Sequence, residues 1–270
     1  MILASDLSLY WWLSLPTAAA YALTALIGPR LALAQGHRLL WGPWALHGLG
    51  LLAVLFTPQE QGLRFGFAPS LSVTVWLMLT FYVLEQHWFP QMRTRWTLAI
   101  LGAAVVMLAA LFPGTPLHVN ASAWLPLHWA LGVASYGLFA AAVAHAWMMQ
   151  RAEKSIRQAT DTREGLPLLT LERLTFRFAT AGFVLLSATL CAGWFFGDSL
   201  YGAGNAWRWD HKTVFSLLSW AVFAVLLIGR SRFGWRGRKA VRFLYAGTGL
   251  LLLAYAGSRF VLEVILERSA

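Results

Sequence analysis

The chain has 270 residues, 59% hydrophobic and only 12% charged, with a formal net charge of +10. With a mean hydropathy of +0.60, it has too little polar surface for a soluble domain and reads as a polytopic membrane protein. Its cations sit between apolar runs, a pattern that marks membrane topology and contact with membrane lipids, and argues against nucleic acid as a partner.

A helix crosses the hydrocarbon core with roughly 20 apolar residues. Eight runs qualify in chain order: Leu7–Ile27, Leu39–Phe56, Phe67–Leu84, Trp96–Phe112, Trp124–Met148, Phe176–Phe196, Thr213–Gly229 and Ala240–Ile265. They are too long and too continuously apolar for barrel strands, and lipid admits only helices or closed barrels. The expected fold is all-α: an integral membrane helical bundle of about eight transmembrane helices, a single domain over 1–270. Pro16, Pro43 and Pro126 fall in or near these runs and are tolerable there as local kinks. The first residues lack the basic start of a secretory signal, so Leu7–Ile27 is expected to stay as a span.

Connections 1–2, 3–4, 5–6 and 7–8 hold every Lys and Arg except Arg64, Arg208, Lys212, Arg259 and Arg268. The positive-inside rule then makes these connections cytoplasmic and both termini extracytoplasmic. A multi-pass protein of a bacterial inner (plasma) membrane is the natural setting. The longest connection, Gln150 to Thr175, is cytoplasmic, and its part from Leu166 to Leu174 fits an amphipathic surface helix. No nucleotide-binding Gly-rich motif or Walker-type lysine occurs there, which argues against use of ATP. The single cysteine, Cys191, cannot form an internal disulfide or a Cys-x-x-Cys pair.

Topology sorts the seven histidines by depth. His37, His87 and His145 fall at or near the cytoplasmic side. His118 lies in the outer connection 4–5, His128 about one turn inside the outer end of the fifth span, His47 near the middle of the second, and His211 at the outer mouth of the seventh. The last four are candidates for one site in the outer half of the membrane. Imidazole is a good ligand for iron, copper or zinc. It also hydrogen-bonds across helix pairs, and either reading suits these positions.

The stretch from Gly193 to Trp220 organises the rest. It passes through a Gly-rich loop and then presents Trp207, Arg208, Trp209, Asp210, His211 and Lys212 in succession. Tryptophans commonly anchor at membrane interfaces, but here two alternate with charged residues. A flat apolar cofactor with two carboxylates would suit such a surface. Indole faces would cover its ring, Arg208 or Lys212 would pair a carboxylate, and a nearby histidine would hold iron. Asp210 is expected to cap the helix that starts at His211.

The run Trp207-Arg-Trp-Asp-His-Lys-Thr-Val-Phe-Ser-Leu-Leu-Ser-Trp220 resembles the tryptophan-rich WWD signature of the cytochrome c assembly (CcsA/CcmC/HemX-like) membrane proteins. Leu127-His128-Trp-Ala-Leu-Gly-Val-Ala-Ser-Tyr136 resembles the family's His-containing helix, and Gly234-Trp-Arg-Gly-Arg-Lys-Ala240 the cytoplasmic turn that follows the signature. The likeness runs from about Gly66 onward and is nearest to the short, eight-span YpjD-like branch. It makes 194–212 a WWD-like outer loop and implies that haem, of b type, is held outside the membrane between histidines for attachment to apocytochrome c. By position His128 matches the family's first external haem histidine, and Trp207, Trp209 and Asp210 match the signature core. The pattern departs at Thr213, where the family has Glu. It departs again near Gly229-Arg230 and Gly257-Ser258-Arg259, where the family's further histidines would fall. The external histidine pair of a full lyase is therefore incomplete, and His47, His118 and His211 are the remaining candidates for a second ligand.

The expectation is a haem-binding or haem-handling protein of the inner membrane without independent catalytic activity. His128 and His47 would be ligands of the haem iron, with the loop from Trp207 to Lys212 as platform. Other cytochrome c assembly proteins would be its partners. The alternative is a haem-free regulatory scaffold, HemX-like, that docks a cytoplasmic partner on its basic loops. A cation-transport accessory role ranks last, since the spans hold few carboxylates.

Overall fold

The computed structural model describes residues 3–31, 33–56, 64–89, 96–116, 124–158, 166–196 and 209–266. Eight helices follow the eight apolar runs: α1 (Leu3–Ile27), α2 (Leu33–Phe56), α3 (Phe67–Trp88), α4 (Trp96–Leu111), α5 (Trp124–Arg157), α6 (Leu168–Phe195), α7 (His211–Phe233) and α8 (Gly237–Leu252). The last continues through π-helical Leu253–Gly257, Ser258–Phe260 and π-helical Val261–Ile265. Two-residue strands, Arg64–Phe65 and Thr115–Pro116, pair antiparallel. Among the described residues, five helical stretches are long and apolar enough to cross a membrane by length and composition. This is a polytopic helical membrane bundle. The segment from Leu168 to Leu174 is the first two turns of α6 and no separate surface helix. Its apolar residues Leu171 and Leu174 are buried, and this tertiary packing carries the long helix past the lipid boundary.

α1 to α4 form one compact unit and α5 to α8 another. In the first, Tyr21 of α1 is fully buried against Gly102 of α4, where a Cβ would come within 2.9 Å of its ring. Tyr21 Oη lies 3.3 Å from His47 Nδ1, and His47 Nε2 lies 2.8 Å from Ser72 Oγ. A polar line thus joins α1, α2 and α3 through lipid-excluded core. Trp44 and Trp76 stack with centroids 5.8 Å apart, and each indole N–H donates across the helix pair, Trp44 Nε1 to Thr80 Oγ1 and Trp76 Nε1 to the Trp44 carbonyl. Glu85 and Gln86 near the end of α3 are buried. The helix extends a turn past the apolar run that ends at Leu84, so it carries these polar groups into the unit.

The second unit is built on close approach. Phe139 of α5 and Phe223 of α7 are fully buried and stack with centroids 3.8 Å apart at 6°. Gly182 of α6 backs the Phe139 ring and Gly247 of α8 backs the Phe223 ring. A Cβ at Gly247 would come within 2.7 Å of that ring. Ser219 Oγ donates to the Gly247 carbonyl at 2.8 Å, and Tyr136 Oη donates to the Leu251 carbonyl at 2.6 Å. Between helices in lipid, where apolar transfer supplies little drive, small residues and such hydrogen bonds hold the contact.

The ends of α7 are set by local chemistry. Asp210 is extended, with φ −89° and ψ 168°, and its carboxylate accepts from the Thr213 N–H at 2.8 Å, the N-cap geometry expected from the sequence. Gly234, at φ +63°, closes the helix in the left-handed region that glycine takes without strain.

Phe223→Ala is expected to destabilise the protein by about 3 kcal/mol, near the low end for soluble cores because lipid-phase packing lacks much of the transfer term. Gly247→Val is expected to cost about 1–3 kcal/mol through overpacking. Both are read as loss of monodisperse protein on heating in detergent. Asp210→Ala is expected to cost about 1 kcal/mol as a lost cap, and Asp210→Asn almost nothing. Equal losses for the two Asp210 variants in the same assay would show that its charge acts elsewhere.

Candidate functional site

Within the second unit the cations sort by helix end. Arg173 and Arg177 begin α6, Arg230 and Arg232 end α7, and Arg236, Arg238, Lys239 and Arg242 lie around the turn into α8. The opposite ends carry His128, Lys212 and Arg259. The positive-inside bias is thus present in the fold of this unit as well as along the sequence.

His128 sits in the first turns of α5, half-buried. It lies over the end of α6, where a Cβ on Gly193 would come within 3.5 Å of its Cε1. One turn earlier, Thr189 packs its methyl near Gly132, and its backbone hydrogen-bonds the imidazole, which also feels the positive charge of Lys212. Capping by Asp210 starts α7, so Lys212 falls in its first turn, half-buried, and its Nζ lies 5.8 Å from the centre of the Tyr255 ring. Arg259 approaches the same ring at 5.9 Å and pairs with Glu263 at 4.0 Å. Tyr255 and Arg259 stand where α8 leaves α-helical winding for the π-helical Leu253–Gly257 and Val261–Ile265. Such bulges turn side chains out of register with the helix and recur at functional sites.

Of the residues singled out in the sequence, His128, Trp209, Asp210, His211 and Lys212 lie in this unit. Trp209 is 74% exposed, His211 is exposed, and the Asp210 carboxylate is engaged in capping. His47 belongs to the other unit, with both ring nitrogens hydrogen-bonded to side chains. His118, Trp207 and Arg208, and with them most of the 194–212 loop, lie outside the described residues. Tyr136, Tyr255, Arg259 and Glu263 were not among the site residues expected from the sequence. The signal was present: Arg259 and Glu263 stand four apart inside an apolar run, and an ionisable pair at helical spacing within a span is a functional flag.

An end that gathers an imidazole, two cations and a phenol can take a planar anionic group and offer it one nitrogen ligand. Among the described residues no three His, Cys, Asp or Glu side chains come together to hold a metal ion.

The family model for the cytochrome C assembly protein matches residues 42–266, most of the chain. The chain is 35% identical over 150 residues to the inner membrane protein YpjD of Escherichia coli K12, covering 55% of this chain and 56% of that one. It thus aligns with little more than half the length of that relative. An uncharacterised 28.8 kDa protein of Azospirillum brasilense is 32% identical over 238 residues, 84% of this chain and 86% of the other. The cytochrome c biogenesis protein CcsA of Prochlorococcus marinus MIT 9515 is 26% identical over 183 residues, 66% of this chain and 54% of that one. Together with the helical fold, these matches show that the chain is a multi-pass inner-membrane protein and belongs to the cytochrome c assembly protein family.

Proposed function

We propose that this protein binds and presents haem at the outer face of the inner membrane, with His128 as an axial ligand and the segment around Trp209 to Lys212 as its platform. The observation that carries the reading is the convergence of His128, Lys212, Tyr255 and Arg259 at the cation-poor end of α5 to α8. Family membership supports it, and the single domain expected over 1–270 would be the haem-handling domain.

Haem would supply the iron chemistry that its delivery to apocytochrome c requires. The chain's own part is binding and orientation. Gly193 keeps side-chain bulk away from the His128 ring edge, so a nitrogen there can reach a ligand-sized group without displacing α6. Lys212 and Arg259 both stand near the Tyr255 ring and would each take one propionate carboxylate. Trp209, largely exposed, would lie along a porphyrin face. For His47 to serve as second ligand, it would have to release Ser72 or Tyr21. An exposed histidine such as His211 is the cheaper choice. Asp210 contributes by fixing the first turn of α7, and with it the position of Lys212. The chain is proposed to act with other assembly proteins and to perform no catalysis of its own.

Protein purified from haem-replete cells, or titrated with haem, is expected to show a Soret band that drops at least several-fold in His128→Ala. Colourless protein that stays colourless on haem addition overturns the reading. Lys212→Gln combined with Arg259→Gln is expected to weaken haem retention roughly tenfold, the worth of a charged hydrogen bond or two. It should also erase the preference for haem over its propionate dimethyl ester in the same titration. An unchanged preference would show that these cations do not meet the carboxylates.

A further inference from the structure

A second cluster lies at the opposite, cation-rich end of the same unit. A groove of about 630 Å³ opens between the start of α6 and the end of α7, lined among others by Glu172, Arg173, Phe176, Arg177, Arg230 and Arg236. Four guanidinium groups there face one carboxylate. Glu172, only 12% exposed, accepts from Arg230 at 2.7 Å and from Arg236 at 2.9 Å. Arg230 is fixed further, over the Phe176 ring at 4.5 Å and by donation to the Trp235 carbonyl at 3.3 Å. One negative charge is thus shared by two guanidiniums, of which Arg230 is held in place by packing.

Arg173 and Arg177 are exposed, and neither forms an ion pair with a described carboxylate. They stand four residues apart on α6, one above the other, an arrangement that repels in isolation. Among the described residues the groove therefore keeps a net positive charge. Guanidinium forks match phosphate oxygens in pairs.

The surroundings select the source of that phosphate. From Arg177 the exposed face of α6 runs on through Ala181 to Val184, which is 58% exposed. That is about 10 Å along the helix, toward the middle of the membrane. Ile228 of α7 is 54% exposed. A free anion would use the arginines alone. A phospholipid would also cover the apolar strip with its chains, because its headgroup and tails are spaced along the membrane normal as these two surfaces are. Basic pockets between transmembrane helices on the cytoplasmic side are suited to this chemistry. We propose that the groove between α6 and α7 binds the phosphate of an anionic phospholipid, with Arg173 and Arg177 as the headgroup contacts and Arg230, set by Glu172, as the fixed floor. This site is independent of the haem reading.

The test is full-length protein in phosphatidylcholine bilayers carrying spin-labelled phosphatidylglycerol or, separately, spin-labelled phosphatidylcholine. Wild-type protein is expected to immobilise the phosphatidylglycerol label preferentially. That preference is expected to fall roughly tenfold in Arg173→Gln/Arg177→Gln and to return in part in Arg173→Lys/Arg177→Lys. Both substitutions are on exposed side chains, and an unchanged melting curve confirms the fold. Equal immobilisation of the two labels by wild-type protein overturns the proposal, as does a preference that survives the glutamine pair. Arginine-dependent binding of inorganic phosphate to delipidated protein, without a lipid preference, overturns the lipid assignment in favour of a soluble anion. Retention of a soluble protein by the same arginines, again without lipid preference, overturns it in favour of a docking surface.

Discussion

Contact between Phe139 and Phe223 sets the spacing on which α5 to α8 depend. In water, two phenyl rings are driven together by the surface they hide. In a bilayer the surrounding tails are as apolar as the rings, so this drive is weak. What remains is dispersion, which falls steeply with distance and rewards only close fit. Gly182 and Gly247 give that fit by letting the flanking helix backbones come close to the two rings. Glycines of α6 and α8 and rings of α5 and α7 thus meet at this contact. The hydrogen bonds from Ser219 and Tyr136 to α8 carbonyls fix their rotation. Everything at the two ends of this unit is positioned by that midpoint.

The ends then differ in chemistry. At one, Glu172 gathers arginines from α7 and from the turn that follows it. Gly229 leaves room there for Trp235 to fold back beneath the turn, and Lys239 lies over that indole at 3.8 Å. At the other end, among the described residues, Lys212 and Arg259 each have an aromatic or carboxylate companion close by. The described cations of this unit are thus concentrated on one side. That asymmetry gives the unit an orientation.

The eight helices among the described residues that follow the apolar runs were legible in the sequence, because a span of apolar residues is long enough to outweigh local propensity. The cap at Asp210 was legible too, since an Asp before an apolar run has a specific local use. The helix ends were harder. Leu168 to Leu174 looked like a surface helix because Glu172 and Arg173 interrupt it, but burial of Leu171 and Leu174 carries α6 straight through. Glu85 fell outside the apolar run yet inside the helix for a similar reason. The Arg259–Glu263 pair stayed hidden, as hydropathy averages over a window and lets the surrounding leucines and valines mask two charges. The π-helical winding at Tyr255 has no signature in residue type at all. It arises from packing.

Histidines in these spans show why depth alone does not identify a ligand. His47 and His145 are nearly fully buried, and hydropathy would rank them above His128. Yet His47 is committed at both nitrogens, to Tyr21 and Ser72. A neutral imidazole has one donor and one acceptor, so those two bonds exhaust it. His145 donates through Nδ1 to the Ala141 carbonyl one turn back at 2.7 Å and stacks its ring near Phe178 at 5.2 Å, which makes it part of the helix packing. His128 is less buried than either, and its edge meets a glycine at the end of the unit that also carries Lys212 and Arg259. Burial measures how much a polar group costs the fold. The neighbours decide whether that cost is met inside the protein or is met by something the protein binds.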